Sequence, residues 1–312
     1  MREWGPWTLE KLRILEAYLP AFTLASSSRS SERVYLDTFA GEGAGRARLT
    51  GEPFDGSPRI ALKTNPPFTH VVLFELDGEK ARALRAELAY EFPGRDIRVY
   101  PGDCNETIPT ALDDLVDVAW APAFAFLDPD GMELRWPTIE AISRHRRSRQ
   151  GFRVEMWILF SHQFTRTLPV RRQPTAAELH RAVEMFGTEE VLDIYRRRLE
   201  GDISPAEARA LYLNLFRWRL EHELEYRWTH PITIVNTRNR PIYEMVFATC
   251  HPVGNDVMTH LYDGAMPWLP ARMRRAREHE AGIDTLFPLE DYGGAPAAPV
   301  YVYVPPEDPS TF

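Results

Sequence analysis

The chain has 312 residues, 44% of them hydrophobic and 26% charged, enough to bury a core in one large domain or in one domain carrying an insertion. A formal net charge of −8 excludes a uniformly basic nucleic-acid-binding surface, though not a local basic patch. The two cysteines, Cys104 and Cys250, lie far apart and in no metal-spaced cluster, so neither a metal site nor a disulfide framework is expected. Met1 to Pro20 lacks the pattern of a signal peptide, and no run reaches the roughly 18 apolar residues needed to cross a bilayer. The expected location is cytoplasmic, with no membrane contact.

Leu12, Leu15, Tyr18, Leu19 and Phe22 are spaced for a helix over Leu9 to Phe22, with the Thr8 hydroxyl as its cap. A Ser-rich linker, Ser26 to Ser31, follows. Strand and helix patterns then alternate. Val34 to Phe39 is a strand running into Ala40-Gly41-Glu42-Gly43. A helix begins near Ser57, with Pro58 in its first turn. Val71 to Glu75 is a strand, Gly78 to Glu91 a helix, and Ile97 to Tyr100 a strand ending at Gly102-Asp103. Asn105 to Leu115 is helical, Phe124 to Asp128 a strand, Trp136 to His145 a helix and Glu155 to Phe160 a strand. This alternation predicts a doubly wound, mostly parallel α/β sheet covered on both faces. Ala176 to Phe186, Glu189 to Arg198 and Pro205 to Tyr226 are helices only, an expected inserted lobe. Ile232 to Val235 and Tyr243 to Thr249, joined by a short connection through Thr237 to Ile242, suit an antiparallel hairpin closing the sheet. Val253 to Tyr262 is the last helix, and the Pro-rich tail from Ala295 is extended or loosely ordered. The expected organisation is an N-terminal helix and linker over 1–31, a sheet domain over 32–165 and 229–290, the lobe over 166–228, and the tail over 291–312.

Ligands of open α/β sheets bind beyond the carboxyl ends of the strands. Three successive strands end there in acids. The first delivers Asp37-Thr38-Phe39-Ala40-Gly41-Glu42-Gly43, whose glycines permit positive φ and close backbone approach. The spacing is not the dinucleotide G-x-G-x-x-G. It resembles the first motif of class I S-adenosylmethionine (SAM)-dependent methyltransferases, which wraps the methionine part of SAM. That resemblance makes Asp37, Phe39, Ala40, Gly41 and Gly43 candidate cofactor contacts. At the second strand, Glu75 and Asp77 are candidates for the ribose hydroxyls. At the third, Asp103, Cys104 and Asn105 are candidates for the adenine end. An Asp after a strand also serves simply as a helix cap, and a nicotinamide enzyme would equally want an acid at Glu75.

The fourth strand runs into Phe126-Leu127-Asp128-Pro129-Asp130-Gly131. In class I methyltransferases this position faces the transferred methyl group. Amino-group methyltransferases carry Asp-Pro-Pro-Tyr or a variant there, with the Asp and a prolyl carbonyl accepting from the substrate nitrogen. Acceptors so placed stabilise positive charge developing on the nitrogen. Asp128, Pro129 and Asp130 are therefore the catalytic candidates, although the aromatic that would stack on a substrate ring is missing, and the segment also suits a plain turn. His162, Arg238 and Arg240 are expected on the same rim, the arginines facing an anionic substrate or plain solvent. His251-Pro252 is expected at the opposite end of the sheet, in a structural role.

Six motifs in order span nearly the whole chain: Lys11-Leu12 with Leu15-Glu16-Ala17-Tyr18-Leu19, Asp37 to Gly41, Gly56-Ser57-Pro58, Gly102 to Asn105, Phe124 to Pro129, and His251 to Gly254. Together they resemble the three-Cys-motif partner (TcmP) family, which is methyltransferase-like. The family usually carries Asp-Pro-Tyr-Gly at the fourth strand, from which Asp130 departs. The resemblance implies SAM as cofactor and a radical-SAM-like protein with a three-cysteine motif as partner. Arginines at 144, 146, 147 and 149, at 166, 171, 172 and 181, at 196 to 198, and at 272, 274, 275 and 277 are candidate phosphate contacts for a nucleic acid, or solvated faces paired with nearby acids. Trp218 and Trp228 are expected to pack the lobe. The expected function is SAM-dependent methyl transfer, N-directed, to a nucleic acid or modified nucleotide. The alternatives are a non-catalytic or SAM-sensing partner subunit and, third, a nicotinamide-dependent oxidoreductase.

Overall fold

Alternating side chains along each strand of the large sheet enter two separate cores, as the two-residue strand period requires. The computed structural model describes residues 3–162, 168–170, 172–281 and 301–311. In chain order the strands are β1 (Glu3–Trp4), β2 (Val34–Asp37), β3 (Ala44–Ala47), β4 (Pro53–Asp55), β5 (His70–Glu75), β6 (Asp96–Pro101), β7 (Ala123–Leu127), β8 (Glu155–Ser161), β9 (Trp228–Val235) and β10 (Pro241–Thr249). The helices are α1 (Pro6–Ser27), α2 (Ser57–Lys63), α3 (Gly78–Glu91), α4 (Cys104–Asp113), α5 (Trp136–His145), α6 (Ala176–Phe186), α7 (Glu190–Glu200), α8 (Pro205–His222), α9 (Pro252–Ala265) and α10 (Leu269–Glu280).

Seven strands form one sheet in the order β6-β5-β2-β7-β8-β10-β9. The pairs from β6 through β8 are parallel, and β10 runs antiparallel between β8 and β9. This is the doubly wound Rossmann-like order expected from the sequence, with the antiparallel strand at the end. Val34, Leu36, Ala125, Leu127, Ile158 and Phe160 face one core with α4, α5 and the helices α6 to α8. Tyr35, Phe124, Phe126, Trp157, Leu159 and Phe247 face the other with α1, α2, α3 and α9. The candidate lobe shares its core with the sheet: Phe216 of α8 meets Trp136, Phe160 and Phe186 at centroid distances of 6.0, 5.1 and 6.3 Å. Capping boxes start α6 (Thr175 with Glu178) and α8 (Ser204 with Glu207).

Several expectations are corrected. Helix α1 begins at Pro6 behind Gly5, with no side-chain cap, and Thr8 is buried inside its first turn. Proline at the first helical position is already set in φ and has no N–H to satisfy, so no Thr8 cap is needed. The sequence reading lacked α10 and a second sheet of order β1-β3-β4, whose strands are too short to show a periodicity. The described part of the tail is extended but docked. Tyr303 donates to both Glu221 oxygens at 2.9 and 2.8 Å, the buried Arg217 donates to the Val304 carbonyl at 2.6 Å, and Asn214 exchanges two bonds with Glu307. Trp218 stacks on His222 at 4.5 Å. Arg166 and Arg171 lie outside the described residues, as does the tail before residue 301. No helix among the described residues is long and apolar enough to cross a membrane.

Truncating Phe216 to Ala is expected to cost about 3–5 kcal/mol, because it empties the junction between α8 and the sheet. Urea denaturation followed by circular dichroism would measure it. A loss below about 1 kcal/mol would show that the helices and the sheet do not share a stabilising core.

Candidate functional site

The carboxyl ends of the parallel strands open into a cleft of about 710 Å³, and the chain reaches it from several elements. The loop after β2 supplies Thr38, Phe39, Gly41 and Glu42, β5 supplies Glu75 and Leu76, and the turn after β6 supplies Gly102, Asp103 and Cys104. Asp128, Pro129 and Asp130 follow β7, while His162 follows β8 and Pro241 to Tyr243 open β10. Lys11 and Thr8 of α1 close the floor, and Trp4 and Trp7 stand beside them.

The Gly-rich loop is shaped from beneath. Gly41 and Gly43 hold φ of 61° and 66°, a region that other residues enter at a cost. No atom comes within 4 Å of where a Cβ on Gly41 would stand, so the backbone there is open to a ligand. Gly56 donates to the Gly43 carbonyl at 2.9 Å, and a Cβ on Gly56 would lie 2.8 Å from the Gly43 carbonyl carbon. Asp37 does not line the cleft. It is fully buried, accepting from the Phe39 N–H at 3.2 Å and from the Tyr35 hydroxyl at 3.3 Å, and Ser57 also hydrogen-bonds it. Burial pushes its carboxyl up to about 7, against the lowering effect of the Ser57 and Phe39 bonds. Asp37 thus holds the loop from below, which its place at the end of a short buried strand dictates. Ala40 and Gly43 likewise back the loop.

The other acids divide in the same way. Glu75 lines the cleft, and its Oε1 accepts the Asp77 N–H at 3.0 Å. Asp77 caps α3, accepting from the N–H groups of Glu79 and Lys80 at 2.8 and 3.2 Å, and stands outside the cleft. Asp103 does both: its Oδ1 caps α4 through the Asn105 N–H at 2.9 Å, while the residue lines the cleft. Asn105 is a brace, accepting from the Arg135 N–H and the Thr138 hydroxyl and donating to the Glu133 carbonyl. Cys104 is buried and its thiol is pushed up to about 12, so it serves the cleft by its backbone and not as a nucleophile. Arg238 and Arg240 do not reach the cleft. Both are exposed in the hairpin turn, where the Asn236 side chain accepts from both of their N–H groups and closes the turn on itself. His162 lines the cleft and lies 3.3 Å from the buried Glu244.

Asp128 has a partner that the sequence reading did not assign. The Lys11 ammonium donates to both carboxylate oxygens, at 2.6 and 2.5 Å, with the two side chains only 7% and 21% exposed. The ammonium also stands 5.8 Å from the Phe126 ring and 5.7 Å from the Tyr243 ring. Burial raises the Asp128 carboxyl above the usual carboxylate range, Lys11 opposes the shift, and Asp130 adds to it. A signal was present: Lys11 is a single cation on the stripe formed by Leu15, Tyr18 and Leu19, the face that α1 buries. Leu76 is also newly seen, 74% exposed on the cleft wall as an apolar surface between Glu75 and the bulk solvent. Glu42 at the loop meets Lys80 at 3.5 Å.

No family model matches this sequence, and no curated protein matches it. Solved structures align with it at low identity. Protein LPL1258 from Legionella pneumophila, of the family-model DUF519, aligns over 82% of this chain and 92% of its own, with a TM-score of 0.46 at 11% identity. TYW2 from M. jannaschii, solved in complex with AdoMet, aligns over 79% and 76% at 0.35 and 12% identity. Cofactor-bound Rv0187 from MTB aligns over 79% and 90% at 0.37 and 14% identity. The large sheet has the doubly wound, Rossmann-like strand order. Substrate and chemistry rest on this chain's own residues.

Replacing Lys11 by Met is expected to destabilise the fold by ~3 kcal/mol, because it leaves the Asp128 carboxylate half-buried without its cation. The double variant Lys11→Met, Asp128→Leu is expected to recover most of that loss. Equal losses in the two variants, by chemical denaturation, would mean that the pair is not coupled. Asp37 adds a pH dependence. Its carboxyl titrates about 7 in the fold against 3.8 ordinarily, so the folded chain keeps a proton that the unfolded chain releases. That contribution is fully present below the unfolded value and is lost as pH rises through about 7. Compared with Asp37→Asn, the wild type is expected to lose stability from about pH 4 to 7, and parallel pH profiles for the two proteins would refute the assignment.

Proposed function

We propose that this chain binds SAM in the cleft and transfers its methyl group to a nitrogen of a nucleic acid or modified nucleotide. The observation that carries this reading is the ordered set of three strand-end carboxylates, Glu75, Asp103 and Asp128, lining one cleft beside the positive-φ loop at Gly41. The donor pattern suits that ligand. Glu75 can accept from two vicinal hydroxyls, and the Oδ2 of Asp103, not used in the cap, can accept from an exocyclic amino group. Leu76 offers an apolar face to a planar ring. The surrounding acids Glu42, Asp130 and Glu133 favour a cationic ligand in this cleft. Bound SAM supplies an electrophilic methyl group on a sulfonium. Asp128 would then accept an N–H of the incoming substrate: a carboxylate has about four lone-pair sites, and Lys11 occupies only one on each oxygen. Lys11 keeps that carboxylate charged and aimed while it is shielded from water, so positive charge growing on the nitrogen meets a preorganised acceptor. The Pro129 carbonyl is the candidate second acceptor.

The same ion pair favours a second reading. Both Asp128 oxygens already have an internal partner, which suits a non-catalytic or SAM-sensing subunit. The motif resemblance to the TcmP family names its counterpart as a three-cysteine radical-SAM-like protein. Calorimetric titration separates the readings when paired with transfer of labelled methyl from SAM to total RNA and to a nucleotide pool. The wild type is expected to bind SAM with micromolar affinity, about −8 kcal/mol. Asp103→Ala and Glu75→Ala are expected to weaken binding by about tenfold or more. Asp128→Ala keeps SAM binding and loses transfer if the chain is the enzyme. SAM binding without transfer to either acceptor pool supports the sensing subunit, and absence of binding by folded wild type sinks the enzyme and the SAM-sensing subunit and leaves the non-catalytic one.

A further inference from the structure

At the opposite edge of the sheet a second pocket, of about 480 Å³, opens between α1, α9 and the segment joining α5 to β8. Its walls mix apolar and aromatic side chains, Phe22 of α1, Trp120, Phe152 and Val257 among them, with polar ones. The His251 ring packs 4.7 Å from that of Phe152. Arg29, Arg146, Arg147 and Arg149 also line this pocket. Several other arginines, Arg59, Arg98, Arg135, Arg153 and Arg272 among them, each meet a carboxylate. Among the described residues, none of the four pocket arginines lies within ion-pair distance of one.

Arg146 is the most telling. Its guanidinium stands 5.6 Å over the Phe152 ring, its Nη1 reaches only the Arg153 carbonyl at 3.4 Å, and its buried Nε has no hydrogen-bond partner. A buried N–H without an acceptor is costly, and nothing in the surrounding packing requires that cost. The pocket's one carboxylate attracts the Arg146 charge but gives its Nε no hydrogen bond. Glu155 is buried, with Oε2 taken by the Tyr18 hydroxyl at 2.5 Å and Oε1 by the Thr249 hydroxyl at 2.7 Å. A chain of net charge −8 thus gathers four arginines beside aromatic side chains with no carboxylate at ion-pair distance among the described residues.

We infer that this pocket binds a phosphorylated aromatic ligand of nucleoside monophosphate size, with its ring against Phe152 and Trp120 and its phosphate on Arg146 and Arg149. The volume lies in the range of small-molecule sites, and a guanidinium matches a phosphate through paired N–H groups. The same chemistry can come from a free nucleotide or from the phosphorylated end of an RNA strand. The inference does not rest on methyl transfer in the cleft.

The test is calorimetric titration of the full chain with AMP, UMP, adenosine, inorganic phosphate and a 5′-phosphorylated hexaribonucleotide. AMP or UMP is expected to bind with a Kd of ~100 µM or below, about tenfold tighter than adenosine or phosphate. Arg146→Gln is expected to weaken binding by about tenfold. Arg149→Gln, in the exposed loop, is expected to act in the same direction, and unchanged circular dichroism and melting would show both variants folded. Tighter capture of the hexanucleotide, lost in the same variants, assigns the ligand to a strand end, and the reverse order assigns it to the free nucleotide. Nucleotides binding no tighter than phosphate would overturn the inference. So would binding unaffected by both variants, or displacement of AMP by excess SAM, which would put the nucleotide in the other cleft.

Discussion

Burial of β2, β7 and β8 on both faces governs where chemistry can sit. Side chains along these strands pack into one of two dry cores, where an unpaired polar group would cost more than the fold can spare. Polar chemistry is displaced to the strand ends. The carboxyl edge collects Glu75, Asp103 and Asp128 around a loop whose glycines leave the backbone open. The opposite edge collects the unpaired arginines around Phe152. Helix α1 spans both, with Lys11 on the floor of the first site and Phe22 on the wall of the second.

The acids at the cleft differ in what the fold has already asked of them. Asp37 is consumed in shaping the loop, Asp77 and part of Asp103 in capping helices, and Asp128 in holding Lys11. Glu75 keeps one oxygen clear of the Asp77 bond, Asp103 Oδ2 faces only Arg135 at 3.8 Å, and Asp128 keeps lone pairs that Lys11 does not fill. Strand-end acids of one residue type therefore serve as foundation, cap or contact according to how deep the strand ends and whether a helix starts immediately after. The Lys11–Asp128 pair is the most consequential of these arrangements, because it ties the N-terminal helix to the sheet within the cleft.

The helices after β8 show the same economy. Their inner faces complete the core of one side of the sheet through Phe186, Tyr212 and Phe216. Several of their arginines are spent internally: Arg172 pairs with Glu178 and Arg196 with Asp193, and Arg219 bonds Glu223 and the Phe186 carbonyl. Part of the basic character seen along the sequence is thus neutralised here, while four arginines without an ion-pair partner among the described residues gather at the second pocket.

Local pattern was sufficient for the alternation of strands and helices, for the bounds of α3, α5 and α6, and for the antiparallel closing pair. Each depends on periodicity and flanking turn residues within one segment. The order of acids at the strand ends was legible for the same reason, since a parallel sheet brings successive strand ends to one edge. Which acid faces a ligand was not legible, because depth and capping are set by neighbours distant in the chain: Ser57 beneath Asp37, and Lys11 across 117 residues from Asp128. The small sheet of β1, β3 and β4 and the second pocket lay beyond reach for a related reason. Two-residue pairings and arginines without counterions exist only once segments far apart in sequence have been packed together, and the tertiary structure alone decided that.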